Sequence, residues 1–541
     1  MSSYAAFKRQ PVQGQVAQRL QAMTLPAATR GLVLNENDAF MTPGGALVLD
    51  NWKPTMRGIA LRGGCTRWCV LPETTPVISA FEYASGITRK MFAANASKLY
   101  DVTTSTPTLV KSGQASGNYC ASQLANAAGD FLMVVNDAGD FPLRFDGTTW
   151  TTLNASQITA SGPGSALVAT GQNLTYVCKY RNRYFFIESN SMRAWYLGID
   201  SIGGALAQIP LSGAATQGGK LLFCAVWNVD AGDGIDDKLV FCTDLGELLI
   251  FSGSNPADPN NWRQEGRYQI PKPMGMNAHI ALGGDLLVAT TEGIVPISSA
   301  LTKDAEQLEL AMITLRIRSM WRDQAIAKSA WSWTMERWDE QGLMFVTWPG
   351  GVAGARMCAV VNTGTGAWTR YVGYDATCWI RMRGDMFFGT QGGIIMQADR
   401  TGYDDGQPYV ATYVGGWETF GANPNQMVWR QARASFAAGP NEPFQPQITS
   451  TINYVVTIPT PPSAGPDPGI LDLWDQGLWD TAKWDAPGAP APVVRDTGWI
   501  SVGMTGYSHA PICQVTVAQT AKPNVELLAI AAVYDPAGVN V

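Results

Sequence analysis

Asp130-Phe-Leu-Met-Val-Val-Asn-Asp-Ala-Gly-Asp-Phe-Pro-Leu-Arg-Phe-Asp146 reads as two short strands around a tight turn. An apolar run leads into Asn136, Asp137 and Gly139, and a second apolar run ends at Phe145. Asn, Asp and Gly reach positive φ at little cost, which tight hairpin turns require. The same unit recurs. It appears at Arg89–Asp101, Asn182–Leu197, Lys238–Phe251, Asp285–Ile297 and Asp385–Asp399, while Leu343–Trp348 pairs across a longer loop with Met357–Asn362. The recurrence is roughly every 40–55 residues, the period of four-stranded propeller blades. One hairpin cannot bury its own apolar face, but a closed ring of blades covers them all. The expected fold is all-β, a β-propeller of about six or seven blades over residues 71–402. A set of unrelated β-sandwiches with similar hairpins is the alternative.

Two stretches break the repeat. From Asp304 to about residue 322 the pattern predicts a helix, with Asp304 as N-cap and Gln307 as its capping-box partner. Leu308, Ala311, Met312, Leu315 and Ser319 share one face, and Arg316, Arg318 and Arg322 decorate the rest. Such an insertion is expected on the ring's outside or against a neighbouring subunit. Its arginines suit the helix C-terminal dipole and need no DNA to explain them. After Gly402 come alternating strands at 409–414, 431–436 and 447–457, then Pro459-Thr-Pro-Pro-Ser-Ala-Gly-Pro-Asp-Pro468, too rich in Pro for any ladder. Trp474, Trp479 and Trp484 follow, each before an Asp, and two last strands lie near 514–519 and 525–534. Residues 403–541 are read as a β-sandwich with an excursion over 458–497, and residues 1–70 as an arm carrying a ring-closing strand.

Composition narrows the function. The 541 residues are 46% hydrophobic and only 15% charged, which excludes wholesale disorder. A net charge of −6 and the absence of a Lys/Arg cluster argue against a surface that grips nucleic acid. The nine cysteines are scattered, and the close pair Cys65 and Cys69 lacks the further ligands of a zinc site. Reduced, mostly buried thiols are expected. The N-terminal stretch shows no uninterrupted apolar run of a secretory signal, and no window is long and apolar enough to span a membrane. A soluble protein of a reducing cytoplasm is the expectation.

The catalytic inventory is thin. His279 and His509 lie far apart and outside recognisable motifs, so each is expected as an interior polar partner. No phosphate-binding Gly-rich loop with its Lys is present. Phe145-Asp-Gly-Thr-Thr-Trp150 and Asn362-Thr-Gly-Thr-Gly-Ala-Trp-Thr369 look like the Asp-box turns of sialidase propellers, which are structural rim turns. The stretch 228–237 alternates oxygen donors but lacks the closing Glu of a calcium loop, and is read as a solvated acidic loop. No enzyme activity, cofactor or metal is expected.

One N-terminal segment points further. Ala27–Pro54, with its Pro43-Gly-Gly-Ala-Leu-Val-Leu-Asp-Asn-Trp-Lys-Pro54, is followed by Gly58-Ile-Ala-Leu-Arg-Gly-Gly64. It resembles the opening of the tail nozzle, or tail tubular, proteins of short-tailed bacteriophages (podoviruses). The Trp-Asp run within 473–485 resembles their C-terminal halves, so the likeness reaches from about residue 27 to 485. It implies a structural virion protein, a homohexameric ring that extends the head-to-tail channel, retains the packaged genome and conducts DNA during ejection. The implied partners are the head-to-tail adaptor and portal proteins, tail fibres or spikes, and the passing double-stranded genome. The implied place is the virion tail, after assembly in the host cytoplasm. Asn51, Trp52, Arg62 and Gly63 are the candidate ring-closing residues. Asp230, Asp233, Asp236 and Asp237 are the candidate lumen-facing acidic loop, and Trp474, Trp479 and Trp484 the candidate partner contacts. The other reading is a host-glycan-binding or sialidase-like propeller of a tail spike.

Overall fold

The computed structural model describes residues 20–228, 237–302, 305–328, 333–348, 357–420, 426–439, 442–465 and 492–535. The chain is all-β, with six four-stranded blades around a propeller axis. They run from Ser79–Ser85 to Thr108–Ser112, from Tyr119–Asn126 to Trp150–Thr152, from Leu174–Tyr180 to Gly204–Pro210, from Leu221–Trp227 to Trp262–Gln269, and from Thr334–Trp338 to Ala367–Val372. The sixth has Cys378–Met382, Asp385–Gly389 and Ile394–Gln397. A three-stranded sheet, His279–Leu282 to Ile294–Pro296, fills the place between the fourth and fifth blades.

The sixth blade closes the circle. Its fourth and outermost strand is Thr66–Val70, from the other end of the chain, paired antiparallel with Ile394–Gln397. Its innermost strand, Cys378–Met382, lies against Ser79–Ser85 of the first blade. A ring closed by strands from both ends opens only by breaking sheet hydrogen bonds, so closure stabilises every blade at once.

Burial follows strand position. The second strands are covered on both faces; Phe131 to Val135 and Tyr184 to Ile187 are buried without interruption. The outermost strand Trp262–Gln269 is largely exposed and carries Arg263, Glu265 and Arg267. That contrast explains why the hairpins stood out in the sequence and the rims did not. The Asp-box-like turns also fold as expected. Asp146 accepts hydrogen bonds from the backbone and hydroxyl groups of Thr148 and Thr149, and sits between the third and fourth strands of its blade.

The expected single helix is instead a set of short pieces, Ile297–Thr302, Ala305–Leu310 and Arg318–Ala327, with one 3₁₀ turn at Leu315–Ile317. Asp304, the expected N-cap, lies outside the described residues. Sheet bonding ends the helix early. Ile313 N–H donates to the Ile294 carbonyl, and the Thr314 hydroxyl accepts from the Ile294 N–H, so the chain there follows a strand. Arg318–Ala327 also packs within its own chain. Trp321 is fully buried against Trp333, Trp348 and Trp368.

Beside the propeller stands a second β body built from both ends of the chain. One of its sheets runs in the order Trp52–Pro54, Ile59–Leu61, Val525–Asp535, Met427–Ala438 and Val493–Asp496. Gln21–Pro26 joins it along Val525–Asp535, and Ile500–Gly506 along Met427–Ala438. The other sheet continues the fifth blade outward through Ala46–Asp50, Tyr409–Gly415 and His509–Val517 to Pro446–Ile452. Residues 21–61 are therefore strands of this body, and only Thr66–Val70 of the arm belongs to the ring. One hydrophobic core spans both bodies, joining Trp321, Met344 and Trp368 to Trp52, Trp429 and Leu527.

Candidate functional site

The segment that suggested a family is the structural junction of the molecule. Asn51 ends strand Ala46–Asp50 in a left-handed conformation, φ 63°, which Asn tolerates better than most residues. Its side-chain amide donates to the Val410 carbonyl at 2.7 Å, and its Oδ1 accepts from the Val372 N–H at 2.9 Å. Asn51 thereby ties the second body to the fifth blade. Trp52 is fully buried, and the Thr369 hydroxyl donates to its carbonyl at 2.6 Å.

Arg62 is the centre of this junction. Its side chain is 1% exposed and forks onto Asp404, with Nη1 to Oδ1 at 2.8 Å and Nη2 to Oδ2 at 2.6 Å. Nε donates to Asn51 Oδ1 at 2.8 Å, and the two Nη atoms also reach the carbonyls of Gly63 and Val372. The guanidinium carbon lies 4.3 Å from the ring centre of Tyr374 and 4.2 Å from that of Tyr409. Burial alone would pull Arg62 towards losing its proton, but the Asp404 hydrogen bonds and charge more than reverse that. A buried ion is tolerated when its donors are met this fully.

The glycines that follow are required by close backbone approach. A Cβ on Gly63 would lie 2.4 Å from Asp399 Oδ1, and one on Gly64 would lie 2.0 Å from the Tyr403 carbonyl oxygen. Asn51, Trp52, Arg62 and Gly63 are thus brought together, immediately before the strand that closes the ring. Their partners Asp404, Tyr374 and Tyr409 lie over 300 residues away in the chain and carry no local pattern that points to them.

The propeller axis holds a cavity of about 250 Å³, lined by innermost strands from several blades. Its polar lining includes Ser79, Tyr176, Asn277, His279, Thr334 and Glu336. His279 stacks on Phe223 with ring centres 4.2 Å apart, and its Nε2 lies 3.1 Å from the Tyr176 hydroxyl. Burial holds His279 down to about 4, so the ring is neutral at ordinary pH. Burial also pushes the Glu336 carboxyl up to about 7, against the opposing pull of Arg337 and Arg381. The sequence singled out His279 but not Glu336, whose neighbours in the chain look like any exposed strand.

His509 is buried, with Nδ1 3.1 Å from the Ser450 hydroxyl and Nε2 3.4 Å from the Met427 carbonyl. Among the described residues no carboxylate orients the ring, and Ser450 also donates to a backbone carbonyl. The pair ties strands of the second body together. Among the described residues no group of three or more His, Cys, Asp or Glu could hold a metal ion.

Asp237 stands at a cavity lined also by Lys179, Arg181 and Asn228, a mixed rather than wholly acidic surround. The Tyr180 hydroxyl donates to its carbonyl at 2.8 Å. Asp230, Asp233 and Asp236, and Trp474, Trp479 and Trp484, lie outside the described residues. No helix among the described residues is long and apolar enough to cross a membrane.

No family model matches the chain, and no curated protein matches it. Among solved structures, the computationally designed Ika8 protein aligns over 62% of this chain and 99% of its own, with 10% identity and a TM-score of 0.34. Raptor from Chaetomium thermophilum aligns over 62% of this chain and 29% of its own, at 9% identity and TM-score 0.37. YCF48, solved bound to D1 peptide, aligns over 69% and 98%, at 11% identity and TM-score 0.26. Likeness this low carries no argument, and the fold rests on the chain's own strand pairing.

Proposed function

We propose that the chain is a structural subunit of the tail nozzle of a short-tailed bacteriophage. Six copies form a ring below the head-to-tail adaptor, hold the packaged genome and conduct it during ejection. Ring closure by six identical chains makes each contact heterologous, so one face of the subunit meets a different face of the next. The observation that carries the reading is the segment 27–64, whose resemblance to that family includes Asn51, Trp52, Arg62 and Gly63. Those four residues are committed to the junction of the two bodies, so the motif has a physical reason to persist wherever this architecture is used. The acidic balance, net −6, supports passage of a polyanion without capture.

The test is the native mass of the purified chain, together with its location in assembled virions. A mass of six 58.2 kDa subunits, and density for a six-fold ring at the tail, are expected. A stable monomer that cleaves glycans would overturn the reading in favour of a spike-like enzyme. A twelve-fold ring would move the chain to an adaptor-like place.

A further inference from the structure

Cys178 and Cys224 come from neighbouring blades and meet. Cys178 lies on Leu174–Tyr180, the innermost strand of the third blade, and Cys224 on Leu221–Trp227, the innermost strand of the fourth. Their Sγ atoms are 2.9 Å apart, between the ~2.05 Å of a disulfide and ordinary non-bonded contact. All nine cysteines are free, and of these Cys178 alone is not fully buried. We propose that Cys178 and Cys224 are a disulfide-forming pair, a covalent staple between two blades that small-molecule disulfides can install and thiols can remove. The inference does not depend on the tail role.

The surroundings favour this pair over other pairings. Cys120, on the innermost strand of the second blade, is buried, and its thiol is engaged with the Val177 carbonyl at 3.2 Å. Cys65, just before strand Thr66–Val70, and Cys69, within it, belong to separate hydrophobic clusters. Alternation along a strand points residues four apart to one side only when the strand is regular, and this strand carries a bulge against its partner. Burial raises the Cys224 thiol well above its usual range, so it does not react first.

The chemistry balances with a low-molecular-weight disulfide of the glutathione class as oxidant. The partly buried Cys178 sulfur, as thiolate, attacks one sulfur of the reagent, forming a mixed disulfide and releasing one thiol. Cys224 then gives up its proton and attacks the Cys178 sulfur of that mixed disulfide, releasing the second thiol. Two protein thiols are oxidised and one reagent disulfide is reduced to two thiols. The sulfurs need to approach by less than 1 Å, roughly the scale of a side-chain adjustment. The product joins the third and fourth blades near the axis, and closing that loop covalently restricts the unfolded chain.

The test uses the full-length protein, reduced and then incubated with oxidised glutathione. Intact mass lower by two hydrogens, and a non-reduced peptide map joining the Cys178 and Cys224 peptides, are expected. The oxidised protein should melt a few degrees above the reduced form, and a dithiol should reverse the shift. In Cys224→Ala the reaction should stop at glutathione bound on Cys178, whereas Cys120→Ala should still form the bridge. A Cys178–Cys120 bridge would overturn the assignment. So would wild-type protein that stays fully reduced or stops at the mixed disulfide, results that require no variant to fold.

Discussion

The propeller and the second β body contain similar strands but are assembled in opposite ways. Within each complete blade, strands adjacent in the sheet are mostly adjacent in sequence, and the turns are short. In the second body, Val525–Asp535 pairs with Gln21–Pro26 and Ile59–Leu61, and Ala46–Asp50 pairs with Tyr409–Gly415. Local pairing forms early and at small entropic cost, whereas pairing between chain ends must wait for the propeller between them to become compact. The second body works as a clasp. It gathers both ends of the chain at the place where Thr66–Val70 must be held against the sixth blade.

Ending the chain at residue 402 removes most of the clasp and should have the largest effect. The ring keeps all its strands, but Leu49, Trp52 and Ile59, fully buried in the whole chain, lose their cover from the second body. The expected outcome is aggregated protein on size exclusion, because an exposed apolar face and unpaired strands are a ready association surface. A soluble, cooperatively melting truncation would show instead that the propeller needs no clasp.

Next in size is Arg62. Arg62→Ala leaves Asp404 largely buried without its partner and removes one donor each from Asn51 Oδ1 and the Gly63 and Val372 carbonyls, so a loss of about 3–5 kcal/mol is expected. Urea unfolding measures it. The paired replacement Arg62→Met with Asp404→Leu should cost much less than Arg62→Ala, because it leaves no buried charge unpaired. If the double variant is as damaged as the single, the tyrosine faces of Tyr374 and Tyr409 and the carbonyl contacts hold the junction, and the ion pair does not.

Inside the propeller, two groups in the axial cavity should respond to pH with opposite signs. Unfolded, the Glu336 carboxyl releases its proton near its ordinary 4.5; folded, it keeps the proton to about 7. Its contribution is greatest below 4.5 and is lost as pH rises to about 7. His279 behaves in reverse. The unfolded ring takes a proton below about 6.5 and the folded ring resists to about 4, so stability is lost as pH falls across that window. Thermal midpoints between pH 4 and 8 check both. Glu336→Gln should gain on the wild type as pH rises, and His279→Gln should lose less than the wild type on acidification. Parallel curves for wild type and both variants would show that the cavity is better solvated than its burial suggests.

How much of this was legible in the sequence follows the same divide. Phe131–Val135 and Leu239–Cys242 are buried on both faces, so they print as continuous apolar runs beside Gly and Asn turns. The rim strand Trp262–Gln269 is mostly polar and left no such trace. The helix near 304 is interrupted where Leu308 and Met312 still keep helical spacing, because Thr314 is captured by Ile294, twenty residues earlier in the chain. At the junction, Gly63 and Gly64 were recognisable as tight backbone, but the obstacles, Asp399 and Tyr403, were not. Arg62 was visible as part of a motif, and its buried ion pair was not. Spacing along a chain reports local geometry; a partner 342 residues away leaves no periodicity to read.

The smallest effect is expected at an exposed ion pair of the clasp. Arg67 pairs with Asp405 through Nε and Nη2 at 2.6 and 2.8 Å, a fork as well made as the one between Arg62 and Asp404. The two pairs join neighbouring parts of the same segments, and they differ in exposure: 57% and 38% for Arg67 and Asp405, 1% and 12% for Arg62 and Asp404. In water, ion pairing replaces solvation that the separated charges recover on release, so Arg67→Ala should cost far less than Arg62→Ala. It should also fade in high salt, because screening acts on exposed charges. Urea unfolding of Arg67→Ala at low and high ionic strength measures both expectations. A cost near that of Arg62→Ala would mean that strand Thr66–Val70 is held to the clasp chiefly at its exposed end. The expected small cost places the hold on the buried arginine that precedes it.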